Sequence, residues 1–168
     1  SLPPATDYGD PGEEGSFHFG LLDSGEWGMR TVYQLVIFGV FERHPKLRLV
    51  LAESGIGWLP YFVRRLDAAG EKHIDKARDY QITMKPSEIF RRQVFATFEE
   101  EPLGPELLPL LGPDNFMWAS DYPHPEGLTE PKGFWRYAEG MDVRRTYDFM
   151  GDNARRFMGL PIANPDPE

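Results

Sequence analysis

Two carboxylates stand where two short apolar runs stop. "LRLVLAESG" (47–55) ends its apolar stretch on Glu53, and "NFMWASDYPHPEG" (115–127) ends its own on Asp121, followed at once by a Pro-His-Pro turn around His124. A carboxylate at the end of a buried strand costs several kcal/mol unless it is paired, hydrogen-bonded or bound to a metal. Something charged is therefore expected to face Asp121. A structural role competes with a chemical one, since Asp121 could cap the turn through Pro123 or meet a structural arginine. The recurrence of the pattern at two successive strand ends favours chemistry. The other histidines offer less. His18, in "GSFHFG", falls in a stretch without periodicity, His44 precedes Pro45 at a helix end, and His73 lies among charges; all three read as surface or packing residues. Trp58, Trp118 and Phe98 read as core or pocket wall rather than as stacking platforms for a substrate.

The elements that must position the two carboxylates alternate. Residues 1–25 carry Pro, Gly, Asp and Ser without periodicity and form an irregular opening segment. From Glu26, Trp27, Val32, Leu35, Val36, Phe38, Val40 and Phe41 fall at helical spacing, and the proline of "RHPK" (43–46) stops the helix. The run 47–53 reads as a buried parallel strand. Residues 58–80 form a second amphipathic helix with apolar positions at 59, 62, 63 and 66. "KPSEIF" (85–90) starts another, with Ser87 as cap and Glu88 in the first turn. A second strand at 93–98, a short helix at 104–112, a third strand at 115–120 and a helix over 144–160 complete the pattern, before a tail at 161–168. Helix and strand in alternation give a parallel sheet with right-handed crossovers, and such sheets do chemistry at the carboxyl ends of their strands. Glu53 and Asp121 are thus expected to open onto one pocket rimmed by the "GIGW" and "PHPEG" loops.

Composition bounds the function. A chain of 168 residues with 40% apolar and 14% aromatic content can bury one sizeable core. A formal charge of −9 and scattered basic pairs disfavour nucleic acid as a partner. The absence of cysteine removes disulfides, thiolate metal sites and a cysteine nucleophile, and makes a cytoplasmic location the prior. No apolar run reaches the roughly 18–20 residues of a membrane span. The chain opens on Ser1 rather than Met, as expected of a processed or truncated product.

"FERHPKLRLVLAESGIGWLPYFVRRLD", "KPSEIFRRQVFATFEEEP", "MWASDYPHPEG" and "GDNARRFMGL" together resemble the C-terminal half of the amidohydrolase-related proteins, in the branch of aminocarboxymuconate-semialdehyde and resorcylate decarboxylases. The resemblance runs over about residues 26–160 in the family's order. It implies an α/β fold, the last three βα units of a (β/α)8 TIM barrel, over 26–160. It also implies a divalent metal, zinc or manganese, in the complete enzyme. On it, Asp121 is a metal ligand and proton carrier, Glu53 stands at a second metal position where the family usually has histidine, and His124 and Trp58 are supporting or pocket residues. The family's strand-one His-x-His or Glu-x-His pair and its strand-five histidine have no counterpart before Glu26. The chain alone is accordingly expected to bind no catalytic metal and to be inactive, its missing half or a homo-oligomeric partner covering the open sheet edges. The implied activity is hydrolysis of a C–N or C–O bond, or non-oxidative decarboxylation, of a small molecule. The alternative is a non-catalytic remnant or interaction module that keeps the half-barrel core.

Overall fold

The computed structural model describes residues 16–73, 82–99, 112–124, 127 and 141–162. Its centre is a three-stranded parallel sheet in the order β1 (Leu49–Leu51), β2 (Val94–Phe98), β3 (Phe116–Trp118). Leu49 to Leu51 pair with Val94 to Ala96, and Ala96 to Phe98 pair with Phe116 to Trp118. The expected strands are present and parallel, each shorter than the apolar run that announced it. Among the described residues no further strand pairs with β1 or β3.

Helices α1 (Ser16–Ile37), α2 (Val40–Arg43), α3 (Leu59–His73) and α4 (Pro86–Gln93) surround the first two strands. Three differences from the sequence reading have physical causes. α1 begins at Ser16, so residues 16–25 are helical rather than irregular and His18 sits in a helix; glycine and serine are weak helix formers, so propensity alone hid it. Ser87 is not the cap of α4, which starts at Pro86. Asp67 of α3 instead accepts the Ser87 amide at 2.8 Å, satisfying an orphan donor from a neighbouring helix. Gln93 closes α4 rather than opening a strand. The expected helix at 104–112 lies outside the described residues apart from Gly112, as do residues 74–80 of the second expected helix and 163–168 of the tail.

After β3 comes one continuous helical segment made of α5 (Val143–Tyr147), a π-turn (Asp148–Asp152) and α6 (Asn153–Met158). The apolar faces meet in one core, with Val36, Phe41, Leu59, Ile89, Phe116 and Phe149 all nearly inaccessible. Each large side chain there contributes on the order of 1.5–3 kcal/mol by leaving water. No helix among the described residues is long and apolar enough to cross a membrane.

Three buried carboxamides lock the amino ends of the strands. Gln93 Nε2 donates to the carbonyls of His44 (3.0 Å) and Leu47 (2.8 Å), just before β1. Asn115 Nδ2 donates to Arg91 (2.8 Å) and Val94 (2.7 Å), at the start of β2. Asn153 Nδ2 donates to Pro113 (2.9 Å) and Phe116 (2.8 Å), at the start of β3. Each amide bridges two carbonyls that would otherwise lose water without a partner, a penalty of about 1–3 kcal/mol per group. One end of the sheet is thereby fixed, and the other is left for function.

The π-turn carries a buried ion cluster. Asp148 accepts from Arg144 Nη2 (2.7 Å) and Arg156 Nη2 (2.8 Å), and Asp152 accepts from Arg144 Nη2 at 2.8 Å. Burial alone would push the Asp148 carboxyl up, but the hydrogen bonds and charges of Arg144 and Arg156 outweigh it and hold the group below the ordinary carboxylate value. With the folded value below the unfolded one, the stabilisation is complete above about pH 3.9, the unfolded value. It drains away as pH falls through the folded value. Asp148→Asn is expected to lower stability at pH 7 by about 2 kcal/mol, the range for hydrogen bonds to charged groups. The gap between the urea midpoints of variant and wild type should close as pH drops below that of an ordinary carboxylate; a gap as wide at pH 2 as at pH 7 would show that the ion pairs are not its source.

Candidate functional site

Both strand-end carboxylates lie past the carboxyl ends of their strands, Glu53 two residues after β1 and Asp121 three residues after β3. They share a backbone property. Among the described residues they are the two non-glycine positions with positive φ, 54° at Glu53 and 52° at Asp121. Left-handed backbone costs an ordinary L-residue roughly 1–2 kcal/mol, aspartate less. Such conformations persist where the surroundings over-determine them, and they cluster at functional sites.

At β1, the ladder with β2 ends on the pair Leu51 and Ala96. The next hydrogen bond comes from a side chain: the Glu53 amide donates to Thr97 Oγ1 at 3.3 Å. Ser54 Oγ then donates back to the Ala52 carbonyl (3.0 Å), and Trp58 Nε1 donates to the Ser54 carbonyl (2.7 Å). The indole of Trp58 meets Phe62 edge-on, ring centroids 5.3 Å apart. α1 closes over it: a Cβ on Gly28 would lie 3.1 Å from Trp58 Cζ2, so a glycine there lets the helix approach the ring. Trp58 is thus a brace for the loop, its one donor committed to that loop's backbone. The Glu53 side chain is exposed.

At β3, the ladder runs one bond further, from the Ala119 amide to the Phe98 carbonyl (2.9 Å). The chain then turns through Asp121 and a cis Tyr122–Pro123 bond. The Asp121 carbonyl accepts the His124 amide (2.9 Å), and the His124 carbonyl accepts the Gly127 amide (3.0 Å). His124 Nδ1 lies 3.1 Å from Asp121 Oδ2. The Asp121 side chain is 14% exposed and that of His124 58%. The polar partner that faces Asp121 is a histidine from its own turn, ring nitrogen and carboxylate oxygen sharing one hydrogen bond. A Cβ on Gly127 would fall 2.6 Å from the Asp121 carbonyl oxygen and 2.9 Å from that of Ser120.

Of the other residues weighed in the sequence, Phe98 is core, edge-on to Phe149 at 5.9 Å, and Trp118 packs against the same core. His44 is exposed. Thr97 and Gly127, by contrast, gave no chemical signal in the sequence beyond the loop that contains Gly127; a threonine in a strand and a glycine after a proline turn are ordinary in themselves. As metal ligands, Glu53 and Asp121 offer hard oxygen donors of the kind that suits manganese or magnesium. Among the described residues, no group of three or more His, Cys, Asp or Glu is placed to hold a metal ion. Two oxygen donors are fewer than the three protein ligands usual at a catalytic metal site.

The arrangement has close counterparts. The family model described as amidohydrolase matches residues 16–160. An amidohydrolase from Mycobacterium avium subsp. paratuberculosis K-10 superposes with a TM-score of 0.73 at 31% identity, over 87% of this chain and 36% of that one. The 5-carboxyvanillate decarboxylase of Sphingomonas paucimobilis matches at TM-score 0.66 and 25% identity, over 80% of this chain and 40% of its own. A dihydroxybenzoic acid decarboxylase from Polaromonas sp. JS666, crystallised with bound manganese and 2-nitroresorcinol, shares the fold at TM-score 0.64 and 18% identity, over 80% and 40%. This chain spans 36% to 40% of the length of these three structures. The parallel sheet packed with helices is a TIM-barrel-like α/β fold, and the chain belongs to the amidohydrolase family.

Proposed function

We propose that this chain is the C-terminal portion of a (β/α)8 barrel enzyme of the metal-dependent amidohydrolase type, its three strands the last three βα units. The observation that carries the reading is the pair of strand-end carboxylates, both in left-handed backbone and both at the carboxyl edge of one parallel sheet. The reaction supported best is non-oxidative decarboxylation of a small hydroxylated aromatic acid, in keeping with the decarboxylases that share the fold. A divalent cation, when bound, would be held by Asp121 and Glu53 with further donors and would grip the carboxylate of the substrate. Asp121 has the chain's own part in the chemistry. The carbon that loses carbon dioxide must gain a proton as the C–C bond breaks, and a carboxyl at the mouth of the sheet, oriented by His124, can deliver it.

The test is product analysis. The full gene product, loaded with manganese, is incubated with a panel of hydroxybenzoates and of small amides and esters. Carbon dioxide release with loss of the ring carboxylate supports the reading; ring or amide opening by water replaces decarboxylation with hydrolysis. Inertness toward every substrate, with manganese bound, would favour a non-catalytic module. With no counterpart of the family's strand-one histidine pair or strand-five histidine before Glu26, the 168-residue chain alone is expected to bind no stoichiometric metal. Elemental analysis of the purified chain decides this, and one tightly held zinc or manganese per chain would overturn it.

A further inference from the structure

We propose that Thr97 is a positioning residue for Glu53: its hydroxyl takes the Glu53 amide two residues past the last β1 residue paired with β2 and fixes how that carboxylate leaves the sheet. The proposal rests on the metal-dependent reading above and names a determinant of the same site. Up to Leu51 and Ala96 the two strands are held by backbone pairing. Beyond that pair, β1 must turn out of the sheet to bring Glu53 to its φ of 54°, and the ladder can no longer follow it. The Glu53 amide would then face water or a competing acceptor. Thr97 Oγ1 meets it at 3.3 Å instead.

Threonine suits the task for two reasons. Its branched β-carbon favours the strand and stiffens χ1, so the hydroxyl direction is set by the sheet rather than by a mobile side chain. Its oxygen can accept the amide while its own proton remains available to another partner. The rest of the loop is braced independently. Trp58 holds the Ser54 carbonyl at 2.7 Å, and Gly25 and Gly28 of α1 seat the Trp58 indole, a Cβ at either lying 3.3 Å and 3.1 Å from the ring. Loss of the Thr97 hydroxyl should therefore release Glu53 without dissolving the loop around it.

Thr97→Val keeps shape and strand preference but removes the acceptor, and Thr97→Ser restores it. The experiment is a Mn²⁺ titration of the full gene product, followed by the electron paramagnetic resonance of free aquo-manganese, with thermal midpoints measured alongside. Supporting partners of metal ligands typically account for 10–100-fold in metal affinity. Thr97→Val is expected to weaken Mn²⁺ binding about ten-fold on that scale, with Thr97→Ser close to wild type. Glu53→Gln is the control that separates this proposal from the reading beneath it. If Glu53→Gln weakens binding while Thr97→Val does not, the role of Thr97 is overturned and the metal reading stands. If Glu53→Gln binds Mn²⁺ as wild type does, Glu53 is no ligand and the role of Thr97 falls, while the metal reading is left to Asp121 and the product analysis. Equal losses in the valine and serine variants would also overturn the role, since the hydroxyl would not be what matters. Should Thr97→Val fail to fold, Thr97→Ala against Thr97→Ser carries the same comparison.

Discussion

Asp121→Asn in the manganese-loaded full gene product is expected to lose about 10²–10⁴-fold in turnover, the usual scale for a general acid or base. Its thermal midpoint should stay near that of the wild type. Asparagine is the right probe because it preserves three things at once. It matches aspartate in size. It tolerates the left-handed backbone that Asp121 adopts at φ 52°, where alanine would add roughly 1–2 kcal/mol of strain. Its carbonyl oxygen can still accept from His124 Nδ1, which lies 3.1 Å from Asp121 Oδ2 in the wild type. What it cannot do is carry a proton to or from a substrate. A steady-state assay on whichever substrate the panel reveals decides the matter, and near-normal turnover would remove Asp121 from the chemistry.

The two ends of the sheet are built on opposite principles. At the amino ends, buried carboxamides from Gln93, Asn115 and Asn153 satisfy backbone carbonyls in pairs. At the carboxyl ends, Glu53 and Asp121 take left-handed backbone, with Thr97 bonded to the Glu53 amide and His124 to both the carbonyl and the carboxylate of Asp121. Stability is concentrated where the sheet begins and precision where it ends, as barrel enzymes require when their catalytic groups ride on variable loops. The ion cluster around Asp148 belongs with the stabilising half, since π-turn residues Asp148 and Asp152 share their arginines with α5 and α6.

This division also explains what the sequence disclosed. The three strands were legible because a buried parallel strand is a continuous apolar run with little else to become, and the strand-end placement of Glu53 and Asp121 was legible because each interrupts such a run. α3 was legible because Leu59, Phe62, Val63 and Leu66 keep helical spacing. The first turns of α1 were not, since a segment of Gly, Ser and Asp reads as loop by local propensity. Ser87 was misread for a related reason: a serine ahead of an apolar run signals a cap, yet the donor that needed satisfying met Asp67 from another helix. Thr97 and Gly127 act through distances to residues 44 and 6 positions away, 3.3 Å for the Thr97 bond and 2.6 Å for the Gly127 approach. No local pattern encodes such a contact.

Gly127→Ala is the second large effect to expect, because the Cβ has nowhere to go. Placed on the present backbone it would sit 2.6 Å from the Asp121 carbonyl oxygen, 2.8 Å from its carbonyl carbon and 2.9 Å from the Ser120 oxygen. All three are backbone atoms, so no side chain can rotate aside to make room. Either the turn carrying Gly127 lifts away, breaking the 3.0 Å bond from its amide to His124, or Ser120 and Asp121 shift. Both routes move the carboxyl group proposed to carry the chemistry, since His124 and Asp121 share the same turn and its 2.9 Å backbone bond. A displacement of about 1 Å at a reacting group can cost on the order of 10²-fold in rate. Turnover of Gly127→Ala is therefore expected to fall by about that factor, with a smaller loss in Mn²⁺ affinity and a thermal midpoint within a few degrees of wild type, the rest of the fold being remote from the turn. The combination is diagnostic. Wild-type turnover with an unchanged melting curve would mean that the turn yields freely and that Asp121 is not held through Gly127.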